Sequence, residues 1–300
     1  MAFPDMRVVI TGGSGFIGRP LVSCLVERGH DVLMLQRNLG SCCPRPVEVH
    51  EAALECPETY RRVLQQFAPE AACHLAWEGI PDFSPETCIK NVHMGTAFLN
   101  EVFNLPTCGK VLGAGSCWEY GNSDGACLEN ERGVAVNHFS WAKLALMDFG
   151  LLRASELKKM FAWLRVFFVY GPGQRMSSLI PSVFKSFESD EIIELKSPEA
   201  AQDFIYLDDV VEGFVRAIEV LRWPSGAFNL GSGKLTPVRD VVRLARSIWQ
   251  GERPVAIYDA HDMRSGIVAS IENSSRHFQW EPKTSINEGL IKVMQQRIAS

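Results

Sequence analysis

The chain has 300 residues, 46% apolar and 22% charged, enough for one large domain or two unequal ones around a cleft, with a core that needs no disulfide or metal staple. Thirty Lys and Arg against 35 Asp and Glu leave a formal net charge of −5 and no basic tract, which argues against nucleic acid or an anionic membrane as partner. Nine cysteines (Cys24, Cys42, Cys43, Cys56, Cys73, Cys88, Cys108, Cys117 and Cys127) form no Cys-x-x-Cys pair, so thiols kept reduced in a cytoplasm are expected rather than a disulfide scaffold or zinc ribbon. Met6 to Ile10 already reads as a strand where a signal peptide would lie, and no apolar run reaches the roughly eighteen residues of a membrane span.

In chain order, Arg7–Ile10 predicts a strand, Gly18–Arg28 a helix ending at Gly29, and Asp31–Leu35 a second strand. Cys56–Phe67 is amphipathic, Ala71–Leu75 a strand, Glu86–Phe103 a long helix and Val111–Ala114 a strand. Trp141–Glu156 predicts a helix and Phe161–Phe167 a strand, with Phe161, Trp163, Phe167 and Phe168 expected mostly in the core. Short β-branched runs alternating with longer helical patterns imply βαβ units on a parallel sheet, an α/β class. After Gly171-Pro172, helices are expected over Ser177–Phe187, Asp208–Val220, Leu235–Trp249 (Thr236 capping, Pro237 first in the helix) and Ser285 to about Arg297. The expected division is residues 1–170 as one domain and 171–300 mainly as a second portion, with some segments returning to the first.

The run from Val8 to Gly18 joins a buried strand, a glycine turn and a helix start, with Gly12, Gly15 and Gly18 spaced G-x-x-G-x-x-G around Phe16 and Ile17. Glycine allows the tight turn and lets backbone N–H groups approach a pyrophosphate, whose charge the helix N-terminus favours. Dinucleotide binding is therefore expected. The second strand ends in Gln36-Arg37, where NAD-selective sites place an acid for the ribose 2′-hydroxyl. Arg37 could pair with a 2′-phosphate instead, so NADP(H) is expected ahead of NAD(H).

Further motifs follow in order: His74-Leu75-Ala76-Trp77, Asn91, the stretch Gly115 to Gly121, Lys143, Arg165 to Pro172, Asp203 to Asp209, Phe228 to Gly233 and Trp280-Glu281-Pro282. Together with the glycine turn, they make the chain resemble the extended short-chain dehydrogenase/reductases, the NAD-dependent epimerase/dehydratase family acting on nucleotide-sugars. The resemblance covers nearly the whole chain. It implies a Rossmann-type doubly wound parallel sheet with a smaller C-terminal substrate-binding portion, and a homodimer formed through the helices after Glu86 and Trp141. It also implies cofactor contacts from Gly12, Gly15, Phe16, Ile17, Gly18, Gln36, Arg37, Leu75, Ala76, Trp77, Asn91, Lys143 and Phe167. Substrate contacts would come from Trp77, Ser116, Cys117, Trp118, Phe168, Arg175 and Gln202. Phe168 stands where asparagine is frequent, and Gln202 where an arginine commonly meets the diphosphate. No metal is expected, since the seven histidines show no ligand spacing, and His74 reads as a packed strand-end residue.

Members of the family catalyse with a Ser or Thr, a Tyr and a Lys. By position these are Ser116, Phe139 and Lys143: the hydroxyl and the lysine are present, but phenylalanine occupies the tyrosine position. Cys117 and Trp118 stand where dehydratases carry Asp-Glu, so dehydration is rejected. The expected activity is NAD(P)-dependent reduction of a 4-keto-6-deoxy nucleotide-diphosphate sugar at C4. A 4-epimerase is the enzymatic alternative, and a catalytically impaired binding protein the third reading. A positioned acid contributes about 10²–10⁴-fold. Its loss leaves open a substitute donor (His138, Tyr120 or Cys117), water held by Ser116, a binding-only role, or a substitution introduced to trap substrate.

Overall fold

Successive side chains of the first strand point to opposite faces of a sheet. Val8 and Ile10 belong to one apolar core, and Val9 to another. The computed structural model describes residues 5–38, 47–189, 198–250 and 266–299, so Cys42 and Cys43 lie outside the described residues. The first half runs β1 (Arg7–Thr11), α1 (Gly18–Glu27), β2 (Asp31–Gln36), β3 (Glu48–Glu51), α2 (Arg61–Phe67), β4 (Ala71–His74), α3 (Pro85–Asn104) and β5 (Lys110–Ser116). Then come β6 (Gly125–Cys127), α4 (His138–Leu157), β7 (Met160–Val166), β8 (Phe168–Tyr170), α5 (Leu179–Ser189), β9 (Ala201–Gln202) and β10 (Phe204–Tyr206). The chain continues through α6 (Leu207–Glu219), β11 (Gly226–Leu230), β12 (Thr236–Pro237), α7 (Val238–Trp249), β13 (Ile267–Ala269), α8 (Glu272–Phe278) and α9 (Ile286–Ala299).

Seven parallel strands form the main sheet in the order β11-β7-β5-β4-β1-β2-β3. The chain winds outward in one direction through β2 and β3, then in the other from β4 to β11. That reversal opens a crevice beyond the carboxyl ends of β1 and β4, the place where such sheets bind ligands. Leu21, Val22 and Leu25 of α1 and Val210, Phe214 and Ile218 of α6 cover one face. Leu64 of α2, Phe98 and Val102 of α3 and Leu146 of α4 cover the other. Phe161 and Trp163 are fully buried on this second face, and Phe167 is buried at the end of the strand run.

The helix expected at Trp141 begins three residues earlier, because a capping box nucleates it. Asn137 Oδ1 accepts from the Ser140 N–H at 2.8 Å, while Ser140 Oγ accepts from the Val136 and Asn137 N–H groups at 3.1 and 3.2 Å. Thr236 and Pro237 depart from the expected helix start. They form β12, paired antiparallel with β9, and α7 opens at Val238 with Pro237 as its cap.

The second half is tied to the sheet by buried polar anchors. β11 joins the sheet beside β7, and Lys110 Nζ, buried, donates to Ile218 O and Val220 O at 2.6 and 2.9 Å, closing the end of α6. Asp203 accepts from the Ser232, Gly233 and Ala269 N–H groups. Glu129 accepts from the Asn229 and Ser274 N–H groups at 2.9 and 3.0 Å, seating α8. Asp209 holds the Lys283 and Thr284 N–H groups, and the buried Trp280 donates to its carbonyl at 2.9 Å. A separate core around Tyr170, Phe184, Phe204, Val241 and Leu290 packs α5, α7 and α9 together. Among the described residues, no helix is long and apolar enough to cross a membrane, and no group of three His, Cys, Asp or Glu side chains converges on a metal-sized site.

Candidate active site

The glycine turn caps the crevice. Gly12 has φ +73°, and a Cβ on it would stand 2.6 Å from Ala76 N, so the turn lies directly against the Leu75-Ala76 backbone after β4. A Cβ on Gly18 would run into the Gly12 carbonyl. α1 starts there with Ile17 as its cap, with no side-chain capping bond and no acid in its first turn, so its positive end is left for an external anion. Phe16 and Ile17 pack against the first core.

Two polar anchors fix the opposite wall. Thr11 Oγ1 lies within hydrogen-bond distance of His74 Nδ1, 2.7 Å, and accepts from the Ala76 N–H at 3.4 Å. Burial, and next the charge of Lys143, push His74 down to about 3. Asn91 accepts from the Glu78 N–H at 2.8 Å and donates to Glu78 O and Thr87 O at 3.0 and 2.8 Å. Its amide is thereby engaged in shaping the loop after β4. Gln36 is buried at the end of β2. Arg37, with its side chain 63% exposed, pairs with Glu78 at 2.9 Å, and Lys90 takes the same carboxylate at 2.8 Å. Because β2 and β4 flank β1, this ion pair spans the end of β1.

Ser116 ends β5, and its environment is built from below. Gly113 and Gly115 leave room for the Trp163 indole, onto which a Cβ at either position would collide. Trp163 Nε1 then donates to the Glu119 carboxylate at 2.9 Å, Arg165 Nε donates to it at 3.0 Å, and the Ser116 N–H donates at 2.7 Å. Glu119 is thereby fully buried, its carboxylate held by these three donors. Burial pushes its carboxyl up, and Arg165 opposes that shift. Ser116 Oγ accepts from the Trp118 N–H at 3.3 Å.

Phe139 and Lys143 lie one helical turn apart on α4, on the same face. The Phe139 ring is 8% exposed. Trp77 lies 5.0 Å from it, Phe83 4.7 Å and Trp118 5.8 Å, ring centre to ring centre. Lys143 Nζ donates to Ala114 O at 2.8 Å and sits 4.2 Å above the Trp77 ring. Burial pushes Lys143 down to about 8, with Glu119 and Cys88 opposing. Trp77 Nε1 is buried without a hydrogen-bond partner.

A cavity of about 310 Å³ opens beside this cluster and brings together Trp118, Phe168 and Gln202, with Asn137 and Val136 from the start of α4. Other expected contacts fall elsewhere. Cys117 turns into the first core, 2% exposed, where burial pushes its thiol up. Phe167 is 3% exposed in the same core, beside Tyr120, and Arg175 is exposed on a turn. Two larger hollows, of about 750 Å³ against α1 and α6 and about 1050 Å³ by the starts of β1 and β2, contain neither Ser116 nor Lys143. Phe83, Glu119 and Trp163 are site residues that sequence reasoning missed as such. For Trp163 the only signal was a large indole on the strand beside a Gly-Ala-Gly strand.

A cradle that a Cβ would fill, an uncapped helix start and an unpartnered indole N–H beside Lys143 suit a nicotinamide dinucleotide. Residues 8–231 match the sequence model of the NAD dependent epimerase/dehydratase family, and the chain belongs to that family. It is 24% identical to the dTDP-4-dehydro-6-deoxyglucose reductase of Escherichia coli over 96% of both chains. It is 25% identical to the CDP-abequose synthase of Yersinia pseudotuberculosis, over 70% of this chain and 72% of that one. Among solved structures, UDP-glucose 4-epimerase from Thermotoga maritima, with UDP-glucose, superposes with a TM-score of 0.86 at 23% identity, covering 98% of this chain and 100% of that one. UDP-glucuronic acid 4-epimerase from Bacillus cereus, with NAD, gives 0.81 at 19% identity, covering 97% and 99%. These structures share the Rossmann-type doubly wound fold.

Proposed function

We propose that this protein is an NAD(P)-dependent oxidoreductase of a nucleotide-diphosphate sugar, reducing a 4-keto-6-deoxy sugar at C4. The observation that supports the reading is the bond from Lys143 of α4 to Ala114 O of β5, two residues before Ser116, with Glu119 bonded to the Ser116 N–H. A buried Glu119 has no access to a substrate proton, which disfavours water elimination. The bound dinucleotide supplies or accepts hydride. Lys143 holds its ribose, Ser116 orients the sugar C4 oxygen, and the rings of Trp77, Phe83, Trp118 and Phe139 exclude water from the reacting face.

We place the discrimination between NADP(H) and NAD(H) in Arg37 and its partner. Arg37 offers a 2′-phosphate a cation, but Glu78 already neutralises it, and the relatives solved with NAD favour the unphosphorylated dinucleotide. The chemistry also fits a cytoplasm, with the seven described cysteines free, and a homodimer, with Ile89 of α3 and Trp141 and Leu152 of α4 exposed on one helical pair.

The 4-epimerase reading is favoured by the fold likeness and by a dTDP-L-rhamnose 4-epimerase 21% identical over 95% of the chain. Incubation with dTDP-4-dehydro-6-deoxyglucose and NADH or NADPH separates the two. A reductase consumes one dinucleotide per sugar reduced, whereas an epimerase interconverts 4-hydroxy sugars with no net consumption. Binding of dinucleotide without either reaction would leave a binding protein.

A further inference from the structure

The hydroxyl that the family uses to protonate the sugar oxygen has no counterpart on Phe139, and each nearby candidate is disposed of by its surroundings. The Tyr120 hydroxyl lies 2.8 Å from Asn229 Oδ1 and 3.0 Å from Leu128 O, deep in the core, and burial pushes it up to about 12. Cys117 is enclosed in the first core. His138 is exposed at the first position of α4, about 100° around the helix from Phe139. His74 is neutral and engaged with Thr11, and Glu119 is held by Arg165 and Trp163. Ser116 can pass a proton on but supplies none at neutral pH.

We propose that Lys143 is itself the proton donor to the C4 oxygen, an inference that rests on the nucleotide-sugar oxidoreductase reading. Its ammonium carries three N–H bonds. The hydrogen bond described for it uses one, to Ala114 O, and the rings of Trp77, Phe139 and Trp163 lie 4.2, 5.7 and 6.0 Å away. In this proposal one further N–H serves the ribose and the third is directed to the C4 oxygen. The ionisable groups facing it are Glu119 from the turn after β5, Cys88 from α3 and His74 from β4. Burial raises the Cys88 thiol, leaving it neutral, and His74 is neutral as well. Among the described residues Glu119 is the anion that acts on it, and its charge is shared with Arg165. An ammonium brought down to about 8 gives up a proton far more readily than an exposed lysine.

As hydride from the reduced dinucleotide forms the new C4–H bond, the carbonyl π pair moves onto O4. An N–H bond of Lys143 breaks as O4–H forms, and the neutral amine then regains its proton from solvent. In the oxidative direction, the amine takes the hydroxyl proton as hydride leaves.

The test uses the intact chain with dTDP-4-dehydro-6-deoxyglucose and reduced dinucleotide in single turnover. Lys143→Arg keeps the charge and the ribose donors but gives up no proton in this range. With the affinity of each variant measured and its dinucleotide site saturated, Lys143→Arg is expected to lose about 10²–10⁴-fold in hydride transfer. Adding Phe139→Tyr to it is expected to restore much of that loss. The native rate is expected to fall as pH rises through about 8. Without dinucleotide or substrate, the fluorescence attributable to Trp77, read as the native minus Trp77→Phe difference, is expected to titrate near the same pH and to cease doing so in Lys143→Arg.

A Lys143→Arg loss of less than roughly tenfold, or a Trp77 titration beyond the ordinary lysine range, overturns the inference. Turnover by Phe139→Tyr alone overturns it too, while leaving the nucleotide-sugar reading standing. Dinucleotide bound, but no turnover from the native chain or Phe139→Tyr with keto or hydroxy sugars, overturns that reading and the inference with it.

Discussion

At the scale of single residues, the site depends on which charges are already spent. Arg37 reads from the sequence as a free cation for a 2′-phosphate, yet in the fold it faces Glu78 from the loop after β4, about forty residues further along the chain. An exposed ion pair is worth up to about 1 kcal/mol. Glu78→Gln is therefore expected to tighten NADP(H) relative to NAD(H) by about two- to fivefold, measured by fluorescence titration of the two reduced dinucleotides. No change in the ratio would place the selectivity elsewhere. Asn91 holds the loop after β4 through its amide, bonded to the backbone at Glu78 and Thr87.

At the scale of elements, α4 positions both Phe139 and Lys143, and its start is set by the capping box of Asn137 and Ser140 rather than by helix propensity. Ser140 is fully buried and satisfies the Val136 and Asn137 N–H groups. Ser140→Ala leaves both without that partner and is expected to cost about 1–2 kcal/mol in urea unfolding. It should also weaken dinucleotide binding, because the first turn carrying Phe139 loosens. A stable variant with native affinity would show that the packing of α4 against α3 alone sets the site. The strand elements were legible where they were long and buried, as in β1, β2 and β7. The two- and three-residue strands β6, β8, β9, β10, β12 and β13 carry too few side chains to show a period. Thr236-Pro237 illustrates the cost: a sound local reading as a cap gave way to pairing with β9 across 34 residues of chain.

At the scale of the whole molecule, α4 is apolar nearly all round, a pattern expected when both faces are covered. One face meets the sheet through Leu146 and Met147, while Trp141 and Leu152 remain 43% and 65% exposed, as does Ile89 of the neighbouring α3 at 57%. A second copy packed through the same helices would cover them. The native chain is expected to sediment as a dimer and Leu152→Glu as a monomer with near-native unfolding, since the change lies at an exposed position. A native monomer would end the homodimer proposal.

The sequence by itself determined what depends on local periodicity and on residue type: the parallel α/β class, the glycine turn, the presence of Ser116 and Lys143 and the missing hydroxyl at Phe139. Each of these is carried by a few neighbouring residues, so no long-range packing is needed to read it. Only the tertiary structure decided what those groups can do. Cys117 and Tyr120 are removed from the chemistry because the core and Asn229 take them, and Glu119 because Trp163 and Arg165 close over it from the next strand. Lys143 is left among aromatic rings for the same reason. Burial and hydrogen-bond satisfaction are set by partners tens of residues away, and a linear pattern does not carry them.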